Sequence, residues 1–184
     1  VSTMENFTGS AQNDTITGDT NANFLNGGAG DDTIDGKAGN DVINGGTGND
    51  LFTIDFSSVD TIDGGANTLK DTVKFNAGNT GTSIATDTNF VMNSTLTNIE
   101  KLDITGLTLN TANNNTEFNF TEAMIDAWTG NSTGNLTLSF TSSQREKIMF
   151  TDIGGTVRDT AAEIADNATY TIGNNTLTID ITDI

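Results

Sequence analysis

The sequence predicts a mainly β protein in which an N-terminal array of very short strands runs into a β-rich C-terminal module with one or two short helices. Three observations predict this. A large apolar residue returns every nine positions from residue 9 to residue 53; the positions between are mostly glycine, acid and amide; and from about residue 76 glycine gives way to threonine, asparagine and alternating aliphatics. The expected organisation is residues 1–75 for the repeat array and its cap, and residues 76–184 for the second module.

Written in nines from Gly9, the chain reads GSAQNDTIT, GDTNANFLN, GGAGDDTID, GKAGNDVIN and GGTGNDLFT. Position one is Gly9, Gly18, Gly27, Gly36 and Gly45; position six is Asp14, Asn23, Asp32, Asp41 and Asp50; position eight is Ile16, Leu25, Ile34, Ile43 and Phe52. A flexible Gly/Asp linker would share the composition but not this register. Each block divides into a six-residue polar turn and a three-residue strand with one inward aliphatic or aromatic side chain.

Glycines at positions one, two and four permit tight turns and let backbone carbonyls approach a common point, and the carboxylate at position six completes an oxygen cage. The chain contains no histidine and no cysteine. Ligation by oxygen alone suits a hard cation, and flexible turns rich in carbonyls favour calcium over octahedral magnesium. A solenoid without calcium would gain nothing from stacked acids that repel one another.

These blocks resemble the GGxGxDxUx nonapeptide of RTX proteins, the haemolysin-type calcium-binding repeat. The resemblance implies a parallel β-roll whose successive turns alternate between two edges, with calcium held between alternate turns. One edge would stack Asp14, Asp32 and Asp50, and the other Asn23, Asp41 and Asp60. Carbonyls of Gly27, Gly28, Gly30, Gly36, Gly39, Gly45, Gly46 and Gly48 are the expected remaining ligands. Strong sites are expected around Asp32, Asp41 and Asp50. Weaker or absent sites are expected toward the N-terminus, where Ser10, Gln12, Asp19 and Asn21 replace glycine and Asn23 is neutral. The pattern returns loosely in residues 56–75, with Asp60 and Ile62, Gly64 and Gly65, then Asp71 and Val73, so Asp71 joins Asp60 as a candidate metal ligand in a stretch that either continues the roll or caps it.

Composition narrows the chemistry. Twenty-five acids against 7 bases give a net charge of -18, which suits bound cations and argues against nucleic acid, whose phosphates need a basic patch. Without cysteine there is no disulfide scaffold or thiolate zinc site, and without histidine neither Ser-His-Asp catalysis nor HExxH zinc hydrolysis is available. Glu117, Glu122 and Asp126 are the acids nearest to a paired-carboxylate arrangement, but Glu122 and Asp126 stand at i and i+4 of one expected helix, as on a solvated face. The Thr15–Thr17 pair hints at an ice-binding ladder, but Asn26, Asp35, Asn44 and Thr53 stand where Thr17 would recur. No apolar run approaches the length of a membrane-spanning helix.

In the second module, strands are expected at FVMN near Phe90, at residues 99–106, 135–141, 147–151 and 175–182. Leu136, Leu138 and Phe140 would share one face, as would Leu177, Ile179 and Ile181. Helices are expected near 120–129, with Phe120, Met124 and Trp128 on one side, and over 160–167, where Thr160 and Glu163 match a capping box. Helical spacing makes Trp128 a core residue first and a sugar-binding platform second. The order of strands and turns over residues 95–184 resembles C-terminal segments of large type I-secreted adhesins.

The two resemblances together imply a non-enzymatic calcium-binding module of an exported bacterial surface adhesin. The chain would cross type I secretion machinery unfolded and fold outside the cell on binding calcium, with upstream domains meeting a host or surface ligand. The acidic-aliphatic end LTIDITDI suits an uncleaved export signal and a plain final strand equally. A surface-layer lattice protein, or the non-catalytic C-terminal part of an exported hydrolase or toxin, are the alternative expectations.

Overall fold

Successive nonapeptides send their strands to opposite sheets. In the computed structural model, which describes residues 6–55, 58–65, 70–75, 94–105, 116–118, 135–141, 148–151, 157–158, 169–172 and 175–182, the first sheet has five strands. They are β1 (Asn6–Thr8), β3 (Phe24–Ala29), β5 (Val42–Thr47), β7 (Thr61–Asp63) and β9 (Thr95–Thr97), side by side in that order. The second sheet takes the alternate strands β2 (Thr15–Thr17), β4 (Thr33–Asp35), β6 (Leu51–Ile54), β8 (Thr72–Phe75) and β10 (Lys101–Asp103). It continues through β12 (Asn135–Thr141) and β16 (Asn175–Thr182) to β15 (Thr169–Ile172), making eight strands.

All pairings in these sheets are parallel except β15 with β16. The result is a parallel β-solenoid wound as a roll. A separate three-stranded sheet contains β11 (Thr116–Phe118), β13 (Ile148–Thr151) and β14 (Val157–Arg158). The described residues contain no helix, and both expected helices, with Trp128, lie outside them, as does the strand expected near Phe90.

A strand alternates its side chains between two faces, so positions six, eight and one of the next block share a face. In β4 and its flanks these are Asp32, Ile34 and Gly36, all buried. Register stacks the position-eight residues into two columns facing each other. One runs Leu25, Ile43, Ile62 and Leu96; the other runs Ile16, Ile34, Phe52, Val73, Leu102 and Leu138. Every member is at most 3% exposed. Burying one such side chain contributes roughly 1.5–3 kcal/mol, so this narrow seam carries most of the apolar driving force of the repeats.

Phe7 continues the first column in register with Leu25 but is 40% exposed, because among the described residues β1 has a neighbouring strand on one side only. The ladder does not stop at residue 75: β8 pairs with β10, β10 with β12 and β12 with β16. Leu136 and Leu138 are fully buried, and the backbone register of β12 with β16 sets Leu136 beside Leu177, Leu138 beside Ile179 and Phe140 beside Ile181.

Candidate metal centre

Because position six lies on the inner face, its carboxylates sit at the two corners where turn meets strand, shielded from water. Asp32, Asp41 and Asp50 are each 1% exposed and Asp71 is 0% exposed. One oxygen of each is engaged by backbone. Along the first edge, Asp14 N–H donates to Asp32 Oδ1 at 2.8 Å, Asp32 N–H to Asp50 Oδ1 at 2.8 Å and Asp50 N–H to Asp71 Oδ1 at 2.7 Å. Along the second, Asn23 N–H donates to Asp41 Oδ1 at 2.8 Å and Asp41 N–H to Asp60 Oδ1 at 3.0 Å. The sequence-expected columns are thus brought together as two ladders, with Asp71 as a further rung of the first.

The second carboxylate oxygens divide the rungs into two kinds. Oδ2 of Asp32, Asp41, Asp50 and Asp71 is buried and has no hydrogen-bond partner. At the remaining rungs the equivalent atom is occupied by protein. Asp14 Oδ2 accepts from Ser10 N–H at 2.6 Å and from Ser10 Oγ at 2.9 Å, Asn23 Oδ1 accepts from Asp19 N–H at 2.9 Å, and Asp60 Oδ2 accepts from Ser58 Oγ at 2.8 Å. In the first two blocks the backbone N–H of position two, at Ser10 and Asp19, takes this oxygen, joined at Ser10 by the side-chain hydroxyl.

Glycine at position one makes that space. A Cβ built on Gly27 would collide with Asp32 Oδ2 and with Gly45 O, and one on Gly45 would collide with Asp50 Oδ2 and Gly64 O. The unpartnered oxygen and a carbonyl of the next turn on the same edge thus face one small region lined by a bare glycine. On the second edge, a Cβ on Gly36 would meet Asp41 Oδ2. Gly28, Gly30, Gly39, Gly46 and Gly48 have positive φ, as does Lys37 at position two of the fourth block, with φ 67°.

Electrostatics point the same way. Burial pushes the Asp41 and Asp50 carboxyls up to about 6 and Asp71 up to about 7; backbone hydrogen bonds lower them, and neighbouring acids raise them further. Asp32 and Asp60 are raised for the same leading reason. An ionised carboxylate with a buried unpartnered oxygen costs several kcal/mol, roughly, unless a cation or a proton joins it. No three acidic side chains converge on one point among the described residues, so a cation here draws on backbone carbonyls as well as carboxylates. That donor set is oxygen throughout, and it fits calcium.

A family model makes the assignment. The RTX calcium-binding nonapeptide repeat, a model of four copies, matches residues 4–34 and again residues 17–52. Residues 4–52 are RTX calcium-binding repeats. Comparison with curated proteins and with solved structures gave no match. The RTX match ends at residue 52, whereas the ladders of the RTX edges go on to Asp60 and Asp71.

Two features of the RTX turns lie outside what the repeat pattern predicts. Position five forms a second ladder running opposite to the first: Asp31 N–H donates to Asn13 Oδ1 at 2.9 Å, Asn49 N–H to Asp31 Oδ1 at 2.8 Å and Lys70 N–H to Asn49 Oδ1 at 3.0 Å. Asn40 Oδ1 accepts from Val59 N–H at 3.0 Å on the other edge. Asn or Asp at position five in four of five blocks is the signal the sequence offers for it. The second feature is the closing of the ladders, by Ser94 Oγ for Asp60 N–H at 3.0 Å and by Glu100 Oε2 for Asp71 N–H at 2.9 Å.

Proposed function

We propose that this chain is a calcium-switched, non-catalytic structural module of an exported bacterial surface protein, an adhesin, that folds outside the cell and so assists its own type I secretion. The observation that carries the reading is the set of buried carboxylates with an unpartnered oxygen along the edges of the roll. In this reading Asp32, Asp41 and Asp50 supply their Oδ2 atoms, and the carbonyls of the glycine turns supply the other ligands. Asp14, Asn23 and Asp60 serve mainly as rungs, since Ser10, Asp19 and Ser58 already engage Asp14 Oδ2, Asn23 Oδ1 and Asp60 Oδ2.

The switch follows from charge and entropy. Residues 1–75 hold 12 acids against 3 bases, and glycine-rich turns lose much freedom on ordering. Extracellular calcium modules bind at ~10⁻⁴–10⁻³ M, and each site filled at 100 times its dissociation constant adds about 2.7 kcal/mol of folding stability. Where free calcium is low the roll stays unfolded and transportable; outside, several ions fold it together. The family match supports calcium binding, and the RTX class supports export.

Limited proteolysis of the whole chain tests the reading. With millimolar calcium, residues 6–75 are expected to survive a protease that digests them in chelator. Equal digestion in both conditions removes the switch.

A further inference from the structure

Past the nonapeptides, the first edge gains one more rung, Asp71, which keeps the hydrogen bond of the repeats although the nine-residue period is lost. Asp71 is 0% exposed; its Oδ1 accepts from Asp50 N–H at 2.7 Å, and its Oδ2 is buried without a partner. A Cβ on Gly64 would collide with Asp71 Oδ2 and with Asn98 O, as one on Gly45 would with Asp50 Oδ2 and Gly64 O. Asn98 stands in the place of the next turn's first glycine. Gly64 N–H donates to Thr97 O at 2.9 Å, as Gly9 N–H does to Asn26 O at 2.8 Å, and Asn98 has φ 54°, in the left-handed region asparagine tolerates best after glycine. Its side chain is fixed by Asp63 Oδ1, which accepts from Asn98 Nδ2 at 2.8 Å.

The turn from β9 to β10 has only residues 98–100 where a nonapeptide has six, and it ends in Glu100. The carboxylate of Glu100 takes the role that aspartate has on the other rungs, with Oε2 accepting Asp71 N–H at 2.9 Å from a residue 29 positions away. We infer that Asp71, the Asn98 carbonyl and Glu100 form a further calcium-class divalent-cation site, which clamps residues 94–105 onto the end of the repeats. The inference rests on the calcium reading of the repeats and extends it to a turn outside the matched residues.

The donors are again oxygen alone, which selects a hard cation. The difference lies in what the ion joins. In the repeats, rungs are 18 residues apart and close one coil each. Here the ion would tie the repeat tract to a segment brought back from 29 residues on, whose strands β9 and β10 extend both sheets. Calcium would then drive the folding of the coil beyond the repeats as well as the repeats themselves.

The test counts calcium ions bound by the full chain in calorimetric titration with calcium chloride. Asp71→Asn keeps an acceptor for Asp50 N–H while removing the charge, and Asp32→Asn serves as the comparison within the repeats. Each variant is expected to bind one ion fewer than the unmodified chain. Amide exchange is expected to show Thr95 and Lys101 in Asp71→Asn gaining protection only at roughly tenfold higher calcium. An unchanged ion count in Asp71→Asn, with one ion lost in Asp32→Asn, overturns the inference and leaves the repeat reading standing; unchanged counts in both overturn the repeat reading as well. Should Asp71→Asn not fold at saturating calcium, Glu100→Gln decides, since it keeps an acceptor for Asp71 N–H: one ion fewer supports the site, and an unchanged count overturns it.

Discussion

Asp50 Oδ1 accepts the backbone N–H of Asp32 at 2.8 Å, while Asp50 Oδ2, equally buried, meets no donor at all. One oxygen of the carboxylate therefore holds adjacent turns in register and the other remains available to a cation. The two roles can be separated by substitution.

Asp50→Asn leaves an acceptor for Asp32 N–H but removes the charge, whereas Asp50→Ala removes both. Both are expected to raise the calcium midpoint for folding by roughly tenfold or more, about 1.4 kcal/mol, with alanine the worse. Asp32→Ala and Asp41→Ala should behave like Asp50→Ala. Asp14→Asn should shift the midpoint much less, because Ser10 already engages Asp14 Oδ2. Calcium titrations followed by circular dichroism check the order, and an unchanged midpoint for all of Asp32, Asp41 and Asp50 removes the ligand assignment.

The raised carboxyls set a pH dependence. Asp41 and Asp50 titrate at about 6 and Asp71 at about 7 in the calcium-free roll, all from an ordinary value of 3.8. Between those values the roll binds more protons than the unfolded chain, so this contribution is fully present below 3.8 and is lost as pH rises through about 6 to 7. Strand content in chelator is expected to be higher at about pH 5 than at about pH 7.5, while the calcium midpoint rises over the same fall in pH because protons compete for the ligand oxygens. Equal strand content at the two pH values contradicts this.

Gly46 and Lys37 both hold position two, and they should respond oppositely to substitution. Gly46 has φ 111°, and a Cβ there would collide with Gly28 O, so Gly46→Ala should cost at least about 1 kcal/mol and raise the calcium midpoint. Lys37 has φ 67°, and Lys37→Gly should relieve about 1 kcal/mol of backbone strain. It loses only an exposed ion pair with Asp35, at 2.6 Å, of the kind worth ~0–1 kcal/mol. Thermal melts in saturating calcium measure both.

The nine-residue spacing of Ile16, Leu25, Ile34, Ile43 and Phe52 makes the core of the repeats legible in the sequence, because a strand with one inward residue leaves a single apolar position per block. It also places the aspartates in two columns. Harder to read is that position six shares the inner face with position eight, which buries the acids and leaves an oxygen unpartnered. The continuation past residue 75 is also obscured, because the coil lengthens from an 18-residue step between Asp32 and Asp50 to 29 residues between Asp71 and Glu100. With that stretch the fixed period vanishes, although Leu96 and Leu102 still fall on the two core columns. Spacing alone does not pair Glu100 with Asp71.

Phe52→Ala tests whether core and edge act together. Phe52 is fully buried between Ile34 and Val73, so the change should cost about 3–5 kcal/mol. The calcium midpoint should rise while the number of ions bound at saturation stays the same. A lower ion count would mean that the edges do not form independently of that side chain.

Far-UV circular dichroism of the whole chain at neutral pH, first in chelator and then in millimolar calcium, tests the switch most directly. The account predicts a largely unordered spectrum in chelator and a cooperative gain of strand signal on adding calcium, reversed when chelator returns. The same strand signal in both conditions would contradict it.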